Sequence, residues 1–356
     1  MRRGKWLRKL KEALRWRRDF LNALREVLRK FRADVVRKLL LAVISERGSL
    51  ASMAEALGFD YESVLGKLDE LAEVDLIPIV KLLVGGHPVQ VAVDDTFDEK
   101  AYARAMPVSR NLAMFFYSRV KGTFIPAIQL LVVTVRDLVT GEVYLVHVDA
   151  YVARKVAEMA KAVGQDLNFS TKVDMTLQVL DRLRRELNVQ VITFDSWYVN
   201  GRTLLSDVVS SLKSSARVVE GDRSVPVGLL PEGEHHVTYL GVPLKLVVLE
   251  DYKGYGRRYL FSTDLSMSPE EILTAWENRW DVEVVIRELK ALGLEKGSFR
   301  TWRRNLGYVK LISITLNFLL SLRYVLGESL GVVRLSRLLK TLYLEVGDTK
   351  KLFSLR

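Results

Sequence analysis

Leucine recurs every seventh residue at Leu7, Leu14, Leu21 and Leu28, with Leu10, Leu24 and Phe31 at the intervening spacing. This period predicts an N-terminal helix with one apolar stripe and a polar remainder. A shorter pattern over Ser49–Leu65 predicts a helix, a turn at Gly58 and a second helix from about Asp60. That spacing suits a helix-turn-helix over residues 49–72, and equally a plain helical hairpin. At Gly85-Gly86-His87-Pro88 the texture changes. Val89–Val93 alternates as a strand and ends at Asp94-Asp95-Thr96, leaving Asp98 and Glu99 as loop charges. Strands are predicted at Ile125–Val135, Glu142–Val148 and Val189–Phe194, the last ending at Asp195. Helices are predicted over 171–187 and 201–212, and residues 216–262 read as β-rich with Gly and Pro punctuation. One long helix from Pro269 to about Leu292 follows, then further helices from about Gly307.

The order of elements predicts an α/β protein. Its expected parts are a helical region (1–84), a first part of the α/β domain (85–215), a β-rich insertion (216–265), the rest of the α/β domain (266–325) and a C-terminal helical segment (326–356).

Charge adds to the picture at the N-terminus. Residues 1–38 hold fifteen Lys and Arg, among them Arg2, Arg3 and Lys5, against four Asp and Glu; this matches the whole net charge of +11. Such an arm has three uses: docking on its own domain by the stripe, seating on DNA phosphates, or lying on a membrane surface. The absence of cysteine excludes disulfides and thiolate zinc sites, and four histidines without an H-x3-H spacing argue against a histidine-rich metal site. The longest uninterrupted apolar run, Leu39–Ile44, is far shorter than a membrane span, and the charged start is unlike a secretory signal. The expectation is a soluble cytoplasmic protein, associated with the nucleoid and not with a membrane.

Three acids carry the candidate chemistry. Side chains at the carboxyl ends of neighbouring strands of an α/β sheet converge, so Asp94 and Asp195 are expected to meet despite their separation in sequence. Glu283 closes the triangle if its helix packs beside the sheet. At about 100° per residue, Trp276, Arg279, Glu283 and Lys290 share an arc of about 60°. Val282, Val285, Leu289 and Leu292 form a separate apolar face. Each feature also has an ordinary reading: Arg279 and Glu283 as an i,i+4 ion pair, and each strand-end aspartate as a turn or cap residue. Alternation places Asp94 and Asp95 on opposite faces, so only one can point at a metal; Asp94, two residues before Thr96, is preferred, with Asp95 as the alternate.

Trp276-x2-Arg279-x3-Glu283-x6-Lys290 resembles the Y-x2-R-x3-E-x6-K signature of one branch of the insertion-sequence DDE transposases. Val93-Asp94-Asp95-Thr96 and Phe194-Asp195-Ser196-Trp197-Tyr198 resemble the motifs around that family's two aspartates, and the resemblance spans roughly residues 85–325. It implies an RNase H-like mixed sheet flanked by helices, with a β-rich insertion and an all-α N-terminal DNA-binding region. It further implies Asp94, Asp195 and Glu283 as catalytic residues holding two Mg2+ or Mn2+ ions, with Arg279 and Lys290 on backbone phosphates. Double-stranded DNA, both transposon ends and target, is the implied partner, bound by a homodimer. The departure is Trp276, where the signature has tyrosine; an indole stacks on a base but lacks the phenolic oxygen. A nuclease or resolvase that only hydrolyses, and a DNA-binding regulator that has lost catalysis, are the alternatives.

Overall fold

The computed structural model describes residues 9–14, 20, 24, 33–46, 50–58, 60–100, 114–118, 121–162, 164, 167–297, 299–326 and 331–346. After the arm, four helices precede the first strand: α1 (Ala33–Glu46), α2 (Leu50–Leu57), α3 (Tyr61–Leu71) and α4 (Ile77–Val84). The predicted break lies between α2 and α3, where Gly58 takes φ 61° and the Asp60 side chain caps α3 by accepting from Ser63 N. That hairpin is docked, not free-standing. Val64, Leu65, Leu68 and Leu71 are buried, while Arg303 and Arg304 pair with Glu73 and Asp69 at 3.0 and 3.1 Å. The outer face of α3 presents Glu62 and Glu70, with Lys67 held by Glu70 at 2.9 Å.

The arm's stripe also faces inward. Leu10, Ala13, Leu14, Phe20 and Leu24 all belong to the main core, and Phe20 packs on Phe318 with ring centroids 5.5 Å apart. This is the self-docking use of the stripe. Leu7, Leu21, Leu28 and Phe31, like Arg2, Arg3 and Lys5, lie outside the described residues.

One mixed sheet organises the rest. Its strands are β1 (Pro88–Glu99), β2 (Met114–Ser118), β3 (Thr123–Asp137), β4 (Val143–Ala150), β5 (Asn188–Phe194), β6 (Val208–Ser211), β7 (Arg217–Glu220), β8 (Arg223–Pro226), β9 (Gly233–Tyr239), β10 (Val242–Leu249) and β11 (Arg258–Ser262). Helices α5 (Arg154–Ala162) and α6 (Lys172–Glu186) precede β5; α7 (Pro269–Asn278), α8 (Trp280–Ala291), α9 (Trp302–Leu326) and α10 (Val332–Val346) follow β11. Strands β4, β3, β1, β5 and β6 lie side by side, with β1, β5 and β6 mutually parallel and β3 antiparallel to β1, β4 and the short β2. This is the RNase H-like order. The β-rich stretch extends the same sheet, because β11 pairs with β6 and leads on to β10, β9, β7 and β8.

Several elements differ from the sequence reading. Strand β1 runs on through both aspartates to Glu99, held by antiparallel pairing to β3 as far as Glu99↔Ala127. Asp98 is therefore no loop charge. It is buried in the ion pair Asp98–Lys100 at 2.7 Å, and Lys100 Nζ also donates to Gly297 O. Residues 201–212 form turns and then β6, not a helix. Leu204, Leu205, Val208, Val209 and Leu212 carry a helix-like spacing, but pairing with β5 and the Ser210 Oγ bond to Phe194 O hold the segment extended. The long helix is interrupted only at Arg279, whose dihedrals (φ −54°, ψ −31°) remain helical.

Among the described residues, the longest helix is α9. Over its most apolar window the mean hydropathy is 1.5, enough in length and composition for a membrane span, yet 83% of that window is buried in the protein. Its polar side chains explain the placement. Asn317 bonds both Leu145 N and Leu145 O at 2.9 and 2.8 Å, and Tyr324 Oη accepts from Val143 N at 2.7 Å. These groups satisfy the open edge of β4, which would otherwise offer unpaired peptide groups.

Candidate active site

The parallel pairing of β1 and β5 positions the aspartates. Its register runs Ala92↔Thr193 and Val93↔Phe194, so one further step sets Asp94 beside Asp195. Adjacent strands lie about 4.8 Å apart, and paired residues of parallel strands point to the same face. That face is the one covered by α7 and α8, since Gln90 Nε2 donates to Ala275 O at 2.7 Å and Asn278 Nδ2 to Gln90 Oε1 at 3.3 Å. Alternation along β1 turns Asp94 to this face and Asp95 to the other.

The two neighbours have different partners. Asp95 is held by three side chains: Gln129 Nε2, Lys172 Nζ at 3.2 Å and Tyr198 Oη at 3.2 Å. Burial and the nearby Asp95 and Asp94 charges push the Tyr198 phenol up, so it stays protonated and donates. Asp94 instead accepts from the Asp95 backbone N–H at 2.8 Å. Its carboxyl is pushed up to about 6, first by burial and then by the like charges of Asp95 and Glu283, with the Asp95 N–H and Arg279 opposing. An acid so placed has a strong electrostatic demand for a cation.

Glu283 arrives on α8 with its stripe partners. Arg279 Nη2 pairs with Glu283 Oε1 at 3.0 Å, and the guanidinium carbon sits 4.7 Å from the centre of the Trp276 ring. The Arg279 side chain is only 12% exposed, and its buried Nε has no hydrogen-bond partner. Trp276 is shared with a small core of Val209, Val247, Leu260, Ile272 and Ala275, so the stripe is not wholly outside the core. Lys290 stands apart, paired with Glu295 at 2.8 Å and close enough to act on the charge of Asp98. Asp195 turns one carboxylate oxygen to the Trp197 backbone N–H.

Among the described residues, no three Asp, Glu or His side chains stand close enough to enclose a metal ion. All three acids have protein partners: Glu283 pairs with Arg279, Asp195 accepts from Trp197 N and Asp94 from Asp95 N. The donors themselves fit a hard divalent ion: all are carboxylate oxygens, and Asp94 sits among like charges.

Beside Arg279 opens a cleft of about 550 Å3 lined by aromatic and basic groups, among them Tyr252, Lys253, Tyr255, Arg258, Trp276 and Trp280. Tyr255 is 71% exposed and Trp280 57%. Of these, only Trp276 belongs to the sequence signature, while Tyr252 and Tyr255 are aromatics of the β-rich segment, which the sequence offers as further stacking candidates. The missed signal is the turn Tyr252-Lys253-Gly254-Tyr255-Gly256-Arg257-Arg258, which interleaves aromatic, basic and glycine residues. Gln129 and Lys172, which hold Asp95, had no local signature.

A family model described as "Archaeal putative transposase ISC1217" matches residues 8–331. The chain belongs to this family of DDE transposases. No curated protein matches it. Among solved structures, the transposase is similar to the cryo-EM structure of the piggyBac transposase synaptic complex with hairpin DNA. The identity is 14% and the TM-score 0.48, over 91% of this chain and 73% of that one. DDE transposases in general use divalent metal, which suits the all-carboxylate donor set of this transposase.

Proposed function

We propose that this transposase cleaves DNA at the ends of its element and joins the freed 3′-hydroxyl to target DNA, with Asp94, Asp195 and Glu283 holding two Mg2+ or Mn2+ ions. The observation that carries this reading is the β1–β5 register, which sets Asp94 level with Asp195 on the face where α8 brings Glu283. When bound, the divalent ions activate the attacking oxygen and stabilise the leaving one. In the first step water attacks phosphorus and the P–O3′ bond breaks, releasing a 3′-hydroxyl. In the second, that hydroxyl attacks a target phosphate, so one P–O bond forms as another breaks.

The chain's own groups then bind and orient DNA. Arg279 has a planar fork suited to a backbone phosphate, with Nη2 shared with Glu283. Trp276, Tyr255 and Trp280 offer ring faces to a base, and Lys253 and Arg258 offer charge to the strand. Tyr198, Gln129 and Lys172 fix Asp95, and through its N–H the adjacent Asp94. Lys290 and the arm residues Arg2, Arg3 and Lys5 are proposed as further phosphate contacts, and a homodimer on two ends, acting on chromosomal DNA in the cytoplasm, as the working assembly.

The test is cleavage and joining of end-bearing DNA with Mg2+ or Mn2+, comparing wild type with Glu283→Gln. Metal-dependent nicks and joined products, both lost in the variant, are expected. Hydrolysis without joining would identify a nuclease, and DNA binding without cleavage a regulator.

A further inference from the structure

A second cleft lies at the carboxyl ends of β5 and β6, beginning one residue beyond Asp195. It measures about 400 Å3, and its lining includes Ser196, Trp197, Ser211, Lys213, Ser215 and Tyr239. We propose that this cleft is a second nucleotide subsite, taking one unpaired nucleotide of the DNA strand whose phosphate lies at the carboxylates, with its base stacked on Trp197. The proposal rests on the DNA-cleaving role argued above.

Trp197 is the reason to assign a ligand. Its side chain is 53% exposed, yet its position is fixed from several sides. The Lys172 ammonium sits 4.1 Å from its ring centre, and the Tyr198 ring meets it edge-to-face at 4.9 Å and 79°. Its backbone N–H donates to Asp195, while Lys172 and Tyr198 both bind Asp95. The exposed indole is thus built onto the hydrogen-bonded frame of the acidic site. A large apolar ring held rigid and open is a preorganised stacking surface.

The remaining lining defines the ligand's other half. Three serines and the exposed Lys213 line the cleft with Trp197, and no carboxylate does. Such a wall accepts a phosphate and sugar edge without like-charge repulsion. The volume falls in the usual range for a small-ligand site. Position points the same way. The first cleft joins the acids through Arg279, which pairs with Glu283; the second joins them through Trp197, which binds Asp195. A phosphodiester seated among the acids carries a nucleotide on each side, and each cleft offers a tryptophan and a cation.

The experiment places 2-aminopurine at successive positions around the scissile phosphate of end-bearing DNA. Its fluorescence is then read on binding to the full chain in Ca2+, which is expected to support binding with little cleavage. Wild type is expected to change the signal at two positions on opposite sides of the phosphate. Trp197→Ala should abolish one change and weaken binding of DNA with an unpaired base there by about 5- to 100-fold, the range expected for loss of one aromatic stack. Trp197→Phe should restore the signal, and Trp276→Ala should abolish only the other. Equal signals in wild type and Trp197→Ala, with both proteins folded by circular dichroism and binding DNA, would overturn the subsite while leaving the transposase reading intact. Wild type that neither binds nor cleaves DNA would overturn that reading first, and the subsite with it.

Discussion

At the scale of single residues, Asp94 and Asp95 show how a strand sorts identical side chains. Alternation sends Asp95 to a face where Gln129, Lys172 and Tyr198 satisfy it, and Asp94 to one where Glu283 repels it. A carboxyl pushed up to about 6 by burial and like charge destabilises the metal-free fold at neutral pH, by up to about 3 kcal/mol for a two-unit shift. Asp94→Asn removes that charge while keeping the shape. The metal-free variant is expected to be about 1–3 kcal/mol more stable than wild type at pH 7, read from denaturant midpoints at equal m. Mg2+ should raise the melting temperature of wild type and leave the variant's unchanged, because binding to the native state alone stabilises it. A variant less stable than wild type without metal would refute the electrostatic account. Alternation in the sequence puts the two acids on opposite faces, but it settles neither which of them serves the metal nor what holds the other. The partners that neutralise Asp95 lie 34, 77 and 103 residues away in the chain.

At the scale of elements, local pattern is strongest where one face decides. Helix α6 shows its apolar stripe and its Thr171 cap in sequence, and β5 and β10 show their β-branched runs. It is weakest where tertiary pairing overrides it, as in β6 and in the acidic second half of β1. Four of the six residues Asp94-Asp95-Thr96-Phe97-Asp98-Glu99 are acids, which are poor strand formers, and their long pairing with β3 keeps them extended. The contact between α9 and α3 is equally invisible to pattern. A β-carbon on Gly307 would lie 1.8 Å from the Leu68 carbonyl oxygen, a backbone atom that cannot swing away. Alanine is the better helix former by about 1 kcal/mol, but overpacking of this kind typically costs about 1–3 kcal/mol or more, and at 1.8 Å the clash decides. Gly307→Ala is therefore expected to destabilise the protein by at least about 1 kcal/mol in chemical denaturation. A stabilised variant would mean that the two helices do not touch.

At the scale of the whole molecule, α9 ties the N-terminal helices to the sheet, and one of its charged groups, Lys310, is buried with it. Lys310 Nζ donates to Val148 O at 2.8 Å from inside the core, and His147 on β4 is largely enclosed nearby. Burial pushes the imidazole down to about 3, with the Lys310 and Arg182 charges adding in the same direction. The sign follows directly. Below about pH 6.5 the unfolded chain takes up a proton on His147 and the folded chain does not, so this residue lowers stability as pH falls from there toward 3. Asp98, pushed up to about 6 mainly by burial, acts oppositely between about pH 6 and 4, because the folded state then binds the extra proton. The opposing contributions mask each other in a simple pH profile, and a difference measurement separates them. The stability of wild type minus that of His147→Gln, followed by denaturant titration, should be flat above pH 7. It should then fall by about 1.4 kcal/mol per pH unit between pH 6 and 4. A difference that stays level through that range would mean the imidazole is protonated in the folded protein, and that β4 and α9 are open to water where the sheet carries the aspartates.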